Sequence, residues 1–170
     1  MKEIDFQHDL LPLKNLLYRL ALRISLDTAE AEDIVEETLL RVWHRRAELT
    51  EIDSLEAYCQ TICRNLALDA AAKAAARNVP IDEATEQHAE AESAPDEAMA
   101  HREKMALVGR LIDSLPVAQR TAVQLRDIEG KTYREIAGIM GLTEANVKVT
   151  LFRARQRIKK DYQSIENYGL

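Results

Sequence analysis

Residues 132–158, TYREIAGIMGLTEANVKVTLFRARQRI, decide how this chain is read. Thr132 and Glu135 stand three apart ahead of an apolar run, the spacing of a capping box, and predict a short helix to Met140. Gly141 supplies a turn, and Thr143 or Glu144 opens a longer helix to about Tyr162. A short helix, a tight glycine turn and a longer helix form the layout of a helix-turn-helix, whose second helix lies in the DNA major groove while the first braces it. In that second helix Val147, Leu151, Ala154 and Ile158 share one face, which is predicted buried. The opposite face presents Lys148, Val149, Phe152, Arg153, Gln156 and Lys159. Apolar side chains can read thymine methyl groups, and Arg and Lys can bond guanine edges or phosphates. The bland alternative, a solvated basic helix that ends a bundle, leaves an exposed Phe and Val without a reason.

Upstream of this stretch the pattern stays helical. Glycine is scarce, strand-like alternation is absent, and apolar residues recur three or four apart, so the chain is predicted all-α. Leu10, Leu13, Leu17, Leu20 and Ile24 make one stripe. A second helix starts at Asp27 as N-cap and runs through Ile34, Thr38, Leu39 and Val42 to Trp43, with Trp43 assigned to the core. Ser54 is the next N-cap, before Leu55, Tyr58, Cys59, Ile62, Cys63 and Leu66. Residues 78–98, NVPIDEATEQHAEAESAPDEA, hold two prolines, seven acids and no Lys or Arg, and read as an acidic linker. Helices over Met99–Asp113 and, after Leu115-Pro116, over Val117–Asp127 follow. The expected architecture is two small helical domains, 8–77 and 99–165, joined by a flexible linker over 78–98.

Charge is divided among these parts. The net charge of −6 argues against a phosphate-binding partner, but residues 1–77 carry 10 basic and 14 acidic groups, 78–98 carry seven acids, and 99–170 carry 13 basic and 8 acidic groups. The helix-turn-helix therefore sits in a segment of charge +5.

Other chemistry is poorly represented. Cys59 and Cys63 could bind zinc at their helical spacing, with His44 the sequence neighbour to consider, but no further paired ligand completes a four-ligand site and both fall on the buried face. No Gly-rich phosphate loop or nucleophile elbow occurs, so neither a cofactor nor catalysis by this chain is expected. The N-terminus lacks a secretory layout and no run of eighteen apolar residues exists, so a cytoplasmic location without direct membrane insertion is expected.

Taken in order, DIVEETLLRVW, AYCQTICRNLALD, LPVAQRTAVQLRDIEGKTYREIAGIMGL and NVKVTLFRARQRI resemble an extracytoplasmic-function (ECF) sigma factor of the sigma-70 family, over nearly the whole chain. The resemblance implies a sigma2-like domain that docks on core RNA polymerase and melts the −10 element, and a sigma4-like domain that reads the −35 element. Ala31, Glu32, Asp33, Glu36, Glu37 and Leu40 would then face the β′ clamp helices, where carboxylates suit a basic partner. A solvated acidic helix explains the same residues. Arg64 and Asn65 would handle the −10 strand, and the loop Leu49–Ser54 would hold a flipped base. Where the family has a dense basic run, DAAAKAAAR offers only Lys73 and Arg77. Lys148, Val149, Phe152 and Arg153 would read the −35 element, with Thr132 and Arg134 on phosphate. Val149-Thr150 replaces a common Ser-Arg pair, which leaves the preferred bases open. The implied partners are core polymerase through its β′ clamp helices and β flap, promoter DNA and an anti-sigma factor. The acidic linker would thread the RNA exit path as an electrostatic mimic of RNA, or serve as a plain spacer. A decoy that sequesters an anti-sigma factor and a stand-alone helix-turn-helix regulator remain as alternatives.

Overall fold

The computed structural model describes residues 3–77 and 96–168. Asp5 opens them by accepting the Gln7 and His8 backbone N–H groups, which caps a wide turn at Phe6–Leu10. A 3-10 turn at Leu11–Leu13, with Pro12 where a missing N–H costs nothing, leads into α1 (Lys14–Ser25). Next come α2 (Thr28–His44) and α3 (Leu55–Ala76). After the acidic stretch come α4 (Asp96–Asp113), α5 (Val117–Val123), a π-helical turn (Gln124–Ile128), α6 (Tyr133–Met140) and α7 (Glu144–Asn167). Among the described residues there is no strand, and the all-α expectation holds.

Local chemistry explains most boundaries. Asp27 accepts the Glu30 N–H at 3.2 Å and Ser54 accepts the Ala57 N–H at 3.1 Å, each satisfying one of the orphan donors of a first turn. Thr132 and Glu135 form the complete capping box, and Thr143 caps α7 through the Asn146 N–H. Gly141 ends α6 at φ +66°, where a side chain would be strained.

Three boundaries differ from expectation. Helix α4 begins at Asp96, so the last three residues of the expected linker are helical, while 78–95 lie outside the described residues. The helix after Pro116 widens at Gln124: the Glu129 N–H reaches the Gln124 carbonyl at 3.1 Å, a five-residue step instead of four. Finally, α7 continues past Tyr162 to Asn167, where Tyr162 and Ile165 stay half-buried and α7 packs on α4.

The first three helices pack on one another around Leu17, Leu20, Ala21, Ile24, Ile34, Val35, Val42, Cys59 and Cys63. Trp43 is half-buried at the edge of this core and meets the half-buried Phe6 edge to face at 5.5 Å, short of the full burial its core assignment implied. A second centre forms from Leu115, Val123, Leu125, Ile136, Ile139, Val147, Leu151 and Ala154, all within 2% of full burial.

The two halves are also packed against each other, α1 on α5 and α3 on α6, through a polar seam. Helix α1 ends at Leu26, held at φ +58°, whose N–H returns to the Leu22 carbonyl. That leaves the next carbonyls without partners inside the helix. The Arg120 guanidinium supplies them, donating to the Arg23 carbonyl at 2.7 Å and the Ile24 carbonyl at 2.6 Å, and to its own half's Leu115 carbonyl at 2.9 Å. A cation at the negative end of a helix dipole is favourable. Arg23 in turn pairs with Asp113 at 2.7 Å and donates to the Gln124 side chain at 3.0 Å. Gln60 of α3 donates to Glu129 at 2.7 Å, and Lys131 pairs with Glu56 of α3. These polar pairs run along a joint at which the buried apolar residues of the two halves form one cluster.

Candidate nucleic-acid interface

Helix α7 is set into the second half by Val147, Leu151 and Ala154, each at most 1% exposed, with Ile158 half-buried below them. Its angle is braced along one face by two contacts. Arg155 grips Asp127 with two hydrogen bonds of 3.1 and 2.5 Å, and that contact raises the guanidinium's affinity for its proton. Two turns back on the same face the Tyr133 ring lies beneath the Arg126 guanidinium at 4.4 Å and the Lys148 ammonium at 5.3 Å. Apart from Lys148, these bracing residues carried no sequence signal, because each acts through a partner in another element.

The outward face of α7 matches the sequence expectation. Lys148 and Arg153 are exposed, Val149 is 45% exposed and Phe152 is 64% exposed. An aromatic ring that far out of the core, flanked by two cations, is a surface built to meet something. Gln156 and Lys159 continue the exposed face.

At the start of α6, Thr132 and Arg134 are exposed, but the helix terminus is already occupied. The Thr132 N–H donates to the Glu135 carboxylate and the Thr132 hydroxyl accepts the Glu135 N–H, both at 3.1 Å. The cap holds the Glu135 carboxyl below the usual range. What remains for a phosphate here is the first-turn backbone N–H groups of Tyr133 and Arg134, the Thr132 hydroxyl proton and the Arg134 side chain.

In the first half the expected residues are less well gathered. Asn65 is exposed, and its side-chain oxygen accepts from the half-buried Arg64 at 3.1 Å, so the amide NH2 is its outward group. Lys73 and Arg77 are exposed, Arg77 at the helix C-cap. At about 100° per residue, Asn65, Lys73 and Arg77 share a sector of roughly 120°, whereas Arg64 points about 180° from Lys73. The loop Leu49–Ser54 is mixed: Leu49 is buried in the core and Ser54 caps α3, leaving Glu51 and Asp53 exposed.

On α2, Asp33, Glu36, Glu37 and Leu40 fall on one exposed face, with Leu40 49% exposed and Glu37 paired to Arg41 at 2.7 Å. Ala31 does not belong with them. It is fully buried, because its position on α2 is in register with Ile34, Val35 and Thr38 on the core face.

A groove of about 620 Å³ lies between α4, the π-helical turn and the end of α7, lined by Met105, Val108, Ile112, Ile128, Ile158 and Tyr162 among others. Met105 and Ile128 are 57% and 48% exposed there. Cys59 and Cys63 are fully buried, and burial pushes both thiols up to about 12. Among the described residues no group of His, Cys, Asp and Glu could hold a metal, and no helix is long and apolar enough to cross a membrane.

Comparison with known proteins places both halves in known families. Residues 11–77 match the family model for sigma-70 region 2, and residues 105–158 match that for sigma-70 region 4. The ECF RNA polymerase sigma factor SigL of Mycobacterium tuberculosis is 30% identical over 151 residues, covering 88% of this chain and 84% of the relative. RNA polymerase sigma-H factor of Pseudomonas aeruginosa is 30% identical over 169 residues, covering 92% and 86%. In fold, the chain is similar to the sigma factor RpoE of Bartonella quintana, solved with the anti-sigma factor NepR, with a TM-score of 0.71, 24% identity and coverage of 92% and 95%.

Proposed function

This chain belongs to the extracytoplasmic-function sigma factors of the sigma-70 family, and from that premise we propose how its surfaces divide the work of transcription initiation. It binds core RNA polymerase and directs it to promoter DNA. The polymerase performs the chemistry, so the chain is a specificity subunit that works in the cytoplasm and needs no cofactor of its own.

The α7 face of Lys148, Val149, Phe152 and Arg153 reads the −35 element, with Thr132 and Arg134 on the flanking backbone. Asn65, with Lys73 and Arg77 beside it, takes the −10 strand, and Arg64 acts mainly by orienting Asn65. Asp33, Glu36, Glu37 and Leu40 dock on the β′ clamp helices, where an apolar residue among carboxylates suits a basic partner with an apolar centre. The groove lined by Met105 and Ile128 receives the β flap. An anti-sigma factor holds the chain inactive, a reading supported by the similar sigma factor solved in complex with NepR. The domains run over about 8–77 and 96–165, with the acidic stretch between them.

The observation that carries this reading is the presence on one chain of a region 2 match and a region 4 match, the second ending in a braced helix with an exposed Phe152. A stand-alone regulator would leave the first three helices without a role. The test is run-off transcription with core polymerase and a promoter library, comparing wild type with Phe152→Ala and Asn65→Ala. Transcripts from a defined motif class, suppressed by both substitutions, are expected. Transcription that survives both substitutions, or a chain that directs none while binding core polymerase, would overturn it.

A further inference from the structure

Lys131 is 8% exposed, an unusual state for a lysine. Its backbone is pinned, with its N–H donating to the Leu125 carbonyl at 2.9 Å and its carbonyl accepting from Arg126 at 2.8 Å. Its side chain runs to the seam, where the ammonium pairs with Glu56 in the first turn of α3 and lies 3.9 Å from Glu135. Position 131 stands immediately ahead of the capping box, three residues before Arg134, on the edge of the helix-turn-helix that braces the reading helix. In this motif the first helix lies along the DNA backbone. The Glu56 carboxylate presents oxygens to the ammonium as a phosphate would, and it comes from the other half of the molecule.

We infer that Lys131 is a DNA-backbone contact of the helix-turn-helix, and that Glu56 masks it by standing in for a phosphate while the two halves are packed together. The inference rests on the reading of α6 and α7 as the DNA-binding unit and adds to it both a residue and a form of control. With α3 against α6, a phosphate approaching Thr132 and Arg134 meets the partly exposed Glu56 carboxylate and finds Lys131 already neutralised. Once α3 moves away, Lys131 loses its Glu56 partner and keeps only the longer contact to Glu135, so the segment beside Arg134 gains an available cation and loses a repelling carboxylate. The seam holds polar groups that burial disfavours: Gln60 Oε1 is buried without a hydrogen-bond partner among the described residues, and burial raises the Glu129 carboxyl. Opening lets water or a new partner satisfy Gln60 Oε1 and rehydrate the Glu129 carboxylate.

The experiment uses the full chain and a labelled random-sequence duplex DNA pool, titrated at several salt concentrations. The proteins are wild type, Glu56→Gln, Lys131→Gln, the double variant and Arg153→Ala, with circular dichroism verifying that each is folded. Glu56→Gln is expected to tighten binding by about threefold to tenfold and to steepen the log affinity against log salt slope by about one unit, the signature of one added phosphate contact. In the Lys131→Gln background the same substitution is expected to give no gain. If the gain persists there, removal of a negative charge explains it and the role of Lys131 is overturned. A Glu56→Gln chain that binds no tighter than wild type overturns the masking. Failure of the underlying reading has a different mark: Arg153→Ala binding as well as wild type, whatever Glu56 does.

Discussion

Replacing Arg120 with methionine removes the central tie of the seam while keeping most of the side chain's volume. The guanidinium is 9% exposed as a residue, its charge is disfavoured by burial, and it bonds three carbonyls at 2.6 to 2.9 Å. A buried acceptor left without a donor costs about 1–3 kcal/mol when the rest stays in place, and the substitution leaves three such carbonyls and no unpaired charge. Here the rest need not stay in place. Two of the three carbonyls, those of Arg23 and Ile24, belong to α1 and can be rehydrated if the halves part. Only the Leu115 carbonyl sits in Arg120's own half, so that half should lose roughly 1–2 kcal/mol and the remaining loss should appear as opening. Small-angle scattering should then report a radius of gyration larger by several ångströms. Trp43, the only tryptophan, lies in the first half, so its fluorescence should follow that half alone while circular dichroism follows both. The two unfolding transitions should coincide in wild type and separate in Arg120→Met. Unchanged scattering, coincident transitions and a stability loss under about 0.5 kcal/mol would refute the idea that Arg120 couples the halves.

Three further outcomes follow from local chemistry. Thr132→Ala should destabilise the second half by about 1 kcal/mol through loss of the capping box, measured by urea unfolding. The Glu135 carboxyl is held below its ordinary value of 4.5, so its stabilisation is present above that pH and is lost as pH falls through the lowered folded value; Glu135→Gln should remove that part of the acid sensitivity. Cys59 and Cys63, fully buried with thiols pushed up to about 12, should resist alkylation at pH 8 in the native chain and react on unfolding, which mass spectrometry would count.

The sequence by itself determined what depends on neighbours a few residues away. The caps at Asp27, Ser54, Thr132 and Thr143, the turn at Gly141 and the buried stripe of α7 are all short-range rules, in which a side chain reaches three residues along its own backbone or repeats every three or four. The exposed face of α7 followed from the same periodicity, and so did the face of Asp33, Glu36, Glu37 and Leu40. Even there the rule had to be applied residue by residue: Ala31, adjacent to two exposed acids, turns inward because its angle on α2 matches that of Ile34 and Val35. Lys73 and Arg77 were legible as cations, and the same periodicity sets Arg64 about 180° from Lys73.

Only the tertiary structure decided the seam. Arg120 reads as an ordinary helix-surface arginine, yet its partners lie 96 and 97 residues away in the last turn of α1. Lys131 and Glu56 are 75 apart, and Gln60 and Glu129 are 69 apart. No periodicity encodes such pairs, because the residue that satisfies a helix's last carbonyls can come from any element that packs there. The widening of the backbone at Gln124 accompanies that joint, since its side chain bonds both Arg23 and Glu129. How the two halves stand relative to each other is thus set by where buried polar groups find partners, a question of distance in space and not of spacing along the chain.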